Sequence, residues 1–126
     1  MTSGKKHEAH DLIPAAIAAV LPRLYATERV ADPIAHVKLF TPDSSWTWYV
    51  TEYDPDQRLV FGLVRGLEDE LGYFSIAELE KARGPLGLPI ERDLHWQPTP
   101  LSQVRRNWQQ RADDADRDRP GRGHGR

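Results

Sequence analysis

The chain contains no cysteine. That excludes a disulfide framework, a zinc–thiolate site and a thiol nucleophile, and it fits a reducing cytoplasm. Long apolar runs are missing as well: nothing approaches the roughly 18 residues of a membrane span. The longest candidate, Ile13 to Leu21, is short, alanine-rich and interrupted by Pro14. With Lys5 and Lys6 ahead of it, it mimics a signal peptide. It leads straight into LPRLY, however, and reads as the first helix of a domain. Positive charge is scarce in the body of the chain. The net charge is −2; Lys5, Lys6 and Glu8 contribute +1, and seven arginines against four aspartates after Val104 contribute +3, so residues 11–104 carry −6. The basic stripe expected of a nucleic-acid binder is therefore missing there. No GxSxG and no Walker or dinucleotide glycine loop occurs, GPLG at Gly84–Gly87 being neither.

What is present is one domain's worth of chain, 126 residues, able to bury a single core. Residues 1–10 are polar and aperiodic and read as disordered; His7 and His10 share a helical spacing but have no third ligand nearby. Residues 111–126 are charged, with no apolar residue beyond alanine, and read as a disordered Arg/Asp-rich tail. The domain is expected over residues 11–110.

Within it, Asp11 to about Leu21 predicts a helix capped by Asp11, with Ile13, Ile17, Val20, Leu21 and Leu24 as its apolar stripe. Ile34–Phe40 predicts a strand with Ala35, Val37 and Leu39 facing the core and His36 on the other face. TPDSS supplies a turn into a second strand, Trp46–Tyr53. Strict alternation puts Trp46, Trp48, Val50 and Glu52 on one face, with Glu52 at the watery rim. DPDQ turns into a third strand, Arg58–Gly66, apolar or small on both faces and hence internal. Gly62 and Gly66 leave room for a tryptophan of the neighbouring strand. Leu67–Leu71 is an acidic connection, and Ser75–Glu78 is a capping box opening a helix to about Ala82. Asp93–Trp96 predicts a last short strand. Thr99-Pro100 opens a helix whose Leu101, Val104 and Trp108 face inward.

Three sets of residues could carry chemistry. Glu68, Asp69 and Glu70, joined by Glu52 and Asp93, could bind a hard cation through oxygen; an acid-rich loop is more often simply solvated. Asp93 and His95, two apart on a strand, could share a face as acid and base, but no serine stands in a nucleophile motif. Trp46, Trp48, Tyr49, Tyr53, Tyr73, Phe74 and Trp96 are many rings for a small domain. Most are expected in the core, with a surface patch of two or three left open.

LYATE (Leu24–Glu28), FTPDSSWTWYVTE (Phe40–Glu52), FGLVRGLEDELGYFS (Phe61–Ser75), RGPLGLPIERDL (Arg83–Leu94) and PTPLS (Pro98–Ser102) resemble, in one colinear pass over residues 12–104, the bacterial DUF2958 family. The resemblance implies no defined activity and no catalytic residues. It implies a setting on plasmids and other mobile elements, beside replication, transfer and anti-restriction genes.

The expectation is an α+β domain, with a small antiparallel sheet of three to four strands packed by two to three short helices, between disordered termini. Its expected role is a non-enzymatic accessory or protein-interaction module of a mobile genetic element. It would act in the cytoplasm, off the membrane, with no cofactor or metal and with a protein partner. The candidate surface or pocket comprises Trp46, Trp48, Tyr49, Glu52, Glu68, Glu70, Tyr73, Asp93 and His95. The alternatives are a nucleic-acid-associated protein, using the Arg-rich tail and exposed rings, and a metal-dependent hydrolase with an acidic site.

Overall fold

Alternating β-branched and aromatic residues on either side of the TPDSS and DPDQ turns produce a meander. In a computed structural model, which describes residues 11–118, its strands are β2 (Val37–Phe40), β3 (Thr47–Asp54), β4 (Leu59–Arg65) and β5 (Asp69–Ser75). With the short β6 (Glu91–Arg92) they form a five-stranded antiparallel sheet in the order β5-β4-β3-β2-β6. Two further two-residue strands, β1 (Ile34–Ala35) and β7 (Thr99–Pro100), pair separately. The helices are α1 (Ala15–Ala18), α2 (Ile76–Lys81) and α3 (Leu101–Asp118).

The fold is α+β as expected, but the sheet has five strands rather than three to four. The added strand is β5, whose first half is the acidic stretch read as a connection. It lies at the sheet edge, where charged side chains meet water instead of a core. The last strand is also displaced: β6 ends at Arg92, and Asp93–Trp96 turns instead, with Trp96 N–H donating to the Asp93 carbonyl at 3.2 Å.

The sheet carries an apolar layer on each side. One contains Val37, Leu39, Trp48, Val50, Tyr53 and Val60, covered by Leu12, Ile13 and Leu21 of the N-terminal segment, by Ile76 of α2 and by Ile90. The other contains Ala35, Tyr49 and Leu63, covered by Leu101, Val104 and Trp108 of α3. Trp108 Nε1–H donates to the Tyr49 hydroxyl at 3.0 Å, so the indole donor finds its acceptor inside this layer. β3 supplies both layers and is buried along almost its whole length.

Local signals were accurate where chemistry was local. Ser75 accepts from Glu78 N–H at 3.2 Å and caps α2. Trp46 lies across Gly66, where a Cβ would collide with its ring. The N-terminal helix is the main local miss. Only residues 15–18 are helical, Pro14 rather than Asp11 precedes them, and Val20 is 73% exposed. Leu12 is buried instead, its N–H donating to Glu80 at 3.0 Å. Glu80 also receives a two-pronged contact from Arg58 at 2.9 and 2.7 Å, which holds the guanidinium firmly charged.

Residues 111–118, expected beyond the domain, are the last turns of α3. The buried first half nucleates the helix, and Gln109–Asp113, Gln110–Asp114 and Asp114–Arg117 contacts continue it. Residues 1–10, including His7 and His10, and residues 119–126 lie outside the described residues.

Candidate functional site

A β-bulge decides where the site lies. Val50 pairs with Gly62 and Glu52 with Phe61, so Thr51 is an extra residue in β3. Its hydroxyl donates to the Phe61 carbonyl at 2.9 Å. The extra residue reverses the alternation beyond it. Tyr53 joins the Trp48 layer, and Glu52 moves to the opposite face, that of Phe61 and Tyr73.

Glu52 is therefore not at the rim. It is 3% exposed, beneath the segment that precedes β1. Its Oε1 accepts from Tyr25 N–H at 2.7 Å, and its Oε2 accepts from Thr27 N–H at 2.8 Å and from the Thr27 hydroxyl. Tyr25 is held at φ 72°, in the left-handed region that a bulky residue seldom adopts. Backbone outliers of this kind cost on the order of 1–3 kcal/mol and persist where surrounding contacts fix them. Here the fixing contact is the buried carboxylate. Both its oxygens are engaged by loop donors, so Glu52 acts as a post that positions the loop.

The loop it holds forms one wall of a cleft of about 560 Å³. Tyr25, Thr27, Glu28, Val30 and Asp32 line that wall; Phe61, Leu71 and Tyr73 form the floor, and Leu101, Ser102 and Arg105 of α3 form the far wall. Tyr73 packs on Phe61 with centroids 4.9 Å apart and reaches Tyr25 at 6.5 Å. Tyr25, Leu71 and Tyr73 nonetheless remain more than half exposed. The volume is that of a small-ligand or side-chain pocket, apolar at its base and acidic at its margin.

The two walls are tied by Asp32. Its carboxylate accepts from Ser102 N–H at 3.0 Å and from the Ser102 hydroxyl at 2.5 Å, capping the first turn of α3 from 70 residues away. The Ser102 side-chain contact first, then the Ser102 amide and Arg106, hold the Asp32 carboxyl below its ordinary value of 3.8. A carboxyl depressed in the folded state contributes stability above its ordinary range and loses it as pH falls through the folded value. Urea titrations of Asp32→Asn and wild type should thus differ by a constant amount above about pH 5. The gap should shrink progressively as pH falls from about 5 through the depressed folded-state value. A gap unchanged down to pH 2 would show that the charge is immaterial.

The remaining sequence candidates disperse. Glu68 and Glu70 are exposed near one sheet edge, on and before β5. Asp93 and His95 follow β6 at the opposite edge, where Asp93 accepts from the His95 backbone amide at 2.9 Å and faces Lys38 at 3.8 Å. The strand that was to align imidazole and carboxylate does not form there. Among the described residues, no three His, Asp or Glu side chains are grouped to hold a metal ion.

The rings divide too. Trp48 and Tyr49 are 8% and 2% exposed and belong to the two core layers. Trp46 stacks on Trp48 at 6.2 Å, on the opposite face from Tyr73. Tyr73 is thus the one ring of the candidate set that lines the cleft. Tyr25, Phe61, Asp32 and Arg105 were missed. A tyrosine in the LYATE connection offered no periodicity from which its place could be read.

No helix among the described residues is long and apolar enough to cross a membrane. No curated protein and no solved structure matches the chain. A family model does, that of a protein of unknown function, over residues 12–117. It spans both walls and the floor of the cleft, and the chain belongs to the DUF2958 family.

Proposed function

We propose that the chain is a non-enzymatic interaction module that docks an extended, cationic segment of a protein partner in the Tyr25–Tyr73 cleft. The observation that carries this reading is the meeting of the cleft floor with a free sheet edge. Leu71 and Tyr73 are each 51% exposed and sit on β5, which pairs only with β4 among the described residues. An edge strand offers unpaired backbone groups to an added strand, and adjacent pockets then choose its side chains. Charge selects the occupant. Glu28, Asp32 and Glu52 line the cleft against Arg105 alone, and Glu68, Asp69 and Glu70 lead into the edge. A lysine or arginine beside an aliphatic residue complements that surface. In the setting that family membership implies, the module serves a plasmid or other mobile element in the cytoplasm.

Panning a random-peptide library on the purified chain tests this. Enrichment of sequences with a basic residue next to an aliphatic one is expected. Tyr73→Ala should weaken the selected peptides about ten-fold or more, as at other interface anchors. A library without enrichment, or selected peptides indifferent to Tyr73→Ala, overturns the reading. Trp48→Ala is no test of a partner, because Trp48 lies in the core.

A further inference from the structure

We infer that a second groove, under the middle of α3 and distinct from the Tyr73 cleft, binds the phosphate group of a small molecule. The groove holds about 500 Å³ and is lined by Lys38 of β2, Arg65 of β4 and Arg111 of α3, with the hydroxyl residues Ser45, Thr47 and Tyr49. No carboxylate lines it. In a chain whose residues 11–104 carry −6, three cations from three elements around one carboxylate-free groove are a marked local reversal of charge.

The cations are also arranged. The Arg65 guanidinium lies 4.3 Å from the centre of the Trp108 ring. A cation at that distance is attracted to the ring face, and a guanidinium still has an N–H fork with which to meet an oxyanion. Lys38 is 5.6 Å from the centre of Trp96, its charge shared with Asp93 at 3.8 Å. Tyr49 accepts from Trp108 Nε1, which leaves its own hydroxyl proton for another acceptor. Burial pushes the Tyr49 phenol up, with Asp69 acting in the same sense, while the Trp108 contact, Arg111 and Arg65 act in the opposite one.

Phosphate suits this set better than a carboxylate, because it presents more acceptor oxygens than one guanidinium can satisfy. A compact ligand suits it better than nucleic acid. The three cations line one hollow, and the acidic run Glu68–Glu70, whose Asp69 is the cross-strand partner of Arg65, would repel a polyanion continuing past it.

The test is titration of the full chain, at low salt, with inorganic phosphate, pyrophosphate and a single-stranded oligonucleotide, followed by calorimetry and tryptophan fluorescence. Pyrophosphate should saturate one site. Arg111→Gln, on an exposed helix face, should weaken it about ten-fold or more. Lys81→Gln, at the end of α2 and outside the groove, should change it less than about two-fold. Three results overturn the inference. One is no saturable binding of pyrophosphate by about 10 mM. The second is equal loss in Arg111→Gln and Lys81→Gln. The third is oligonucleotide binding tighter than pyrophosphate and unaltered by Arg111→Gln. Peptide selection by the Tyr73 cleft is unaffected by any of these outcomes.

Discussion

Gly62→Ala is expected to remove on the order of 4 kcal/mol of stability, a large share of what a domain of this size possesses. Gly62 stands opposite Val50, at the edge of the bulge. A Cβ there would overlap the Tyr49 carbonyl oxygen and lie 2.9 Å from the carbonyl carbon and 3.2 Å from Val50 Cα. These are backbone atoms of an internal strand, so no rotamer change relieves the clash. The sheet must open at the point that sets the orientation of Glu52. Gly72 is the control, because it is the cross-strand partner of Gly62 and a Cβ there meets nothing within 4 Å. Gly72→Ala should fall within about 0.5 kcal/mol of wild type. Urea midpoints for the two variants check the pair, and equal midpoints would contradict the packing described for the bulge.

Glu52→Ala is expected to cost about 2–4 kcal/mol and to release the loop that walls the cleft. The carboxylate accepts from two backbone amides and a hydroxyl, and the substitution removes all three contacts at once. Tyr25 would then leave its left-handed backbone conformation. Hydrogen exchange reads this directly. Protection at the Tyr25 and Thr27 amides should fall to loop values, while the amides of β4 keep theirs until global unfolding. Glu52→Gln keeps the shape but turns one donor toward donors, so it should sit between wild type and alanine. Unchanged protection at Tyr25 in the alanine variant would show that the loop is held by something else.

These two positions also show which parts of the fold were legible in the sequence. Turn residues, β-branched runs, the Ser75 cap and the Leu101–Val104–Trp108 spacing act over a few residues, and they placed the hairpin and two helices correctly. Gly66 shows the same locality, since the tryptophan across it, Trp46, immediately precedes the neighbouring strand β3. Glu52 was misplaced because one bulged residue reverses every face beyond it, and WTWYVTEY carries no mark of the bulge. Asp32 was overlooked because its partner, Ser102, is 70 residues away. The acidic start of β5 reads as a connection because strand propensities describe half-buried positions, not an edge in water. The site depends on those distant pairings, and of the candidate rings Tyr73 alone lines the cleft.

A strand shared by two apolar layers has a consequence for how the molecule comes apart. Tyr49 and Val50, neighbours in β3, anchor opposite sides of the sheet. Loosening either layer frays the ladder on which the other rests. Two strands, β3 and β4, contribute to both the cleft and the basic groove, so the floors of both sites belong to one cooperative unit, to which the Tyr25 loop is only attached.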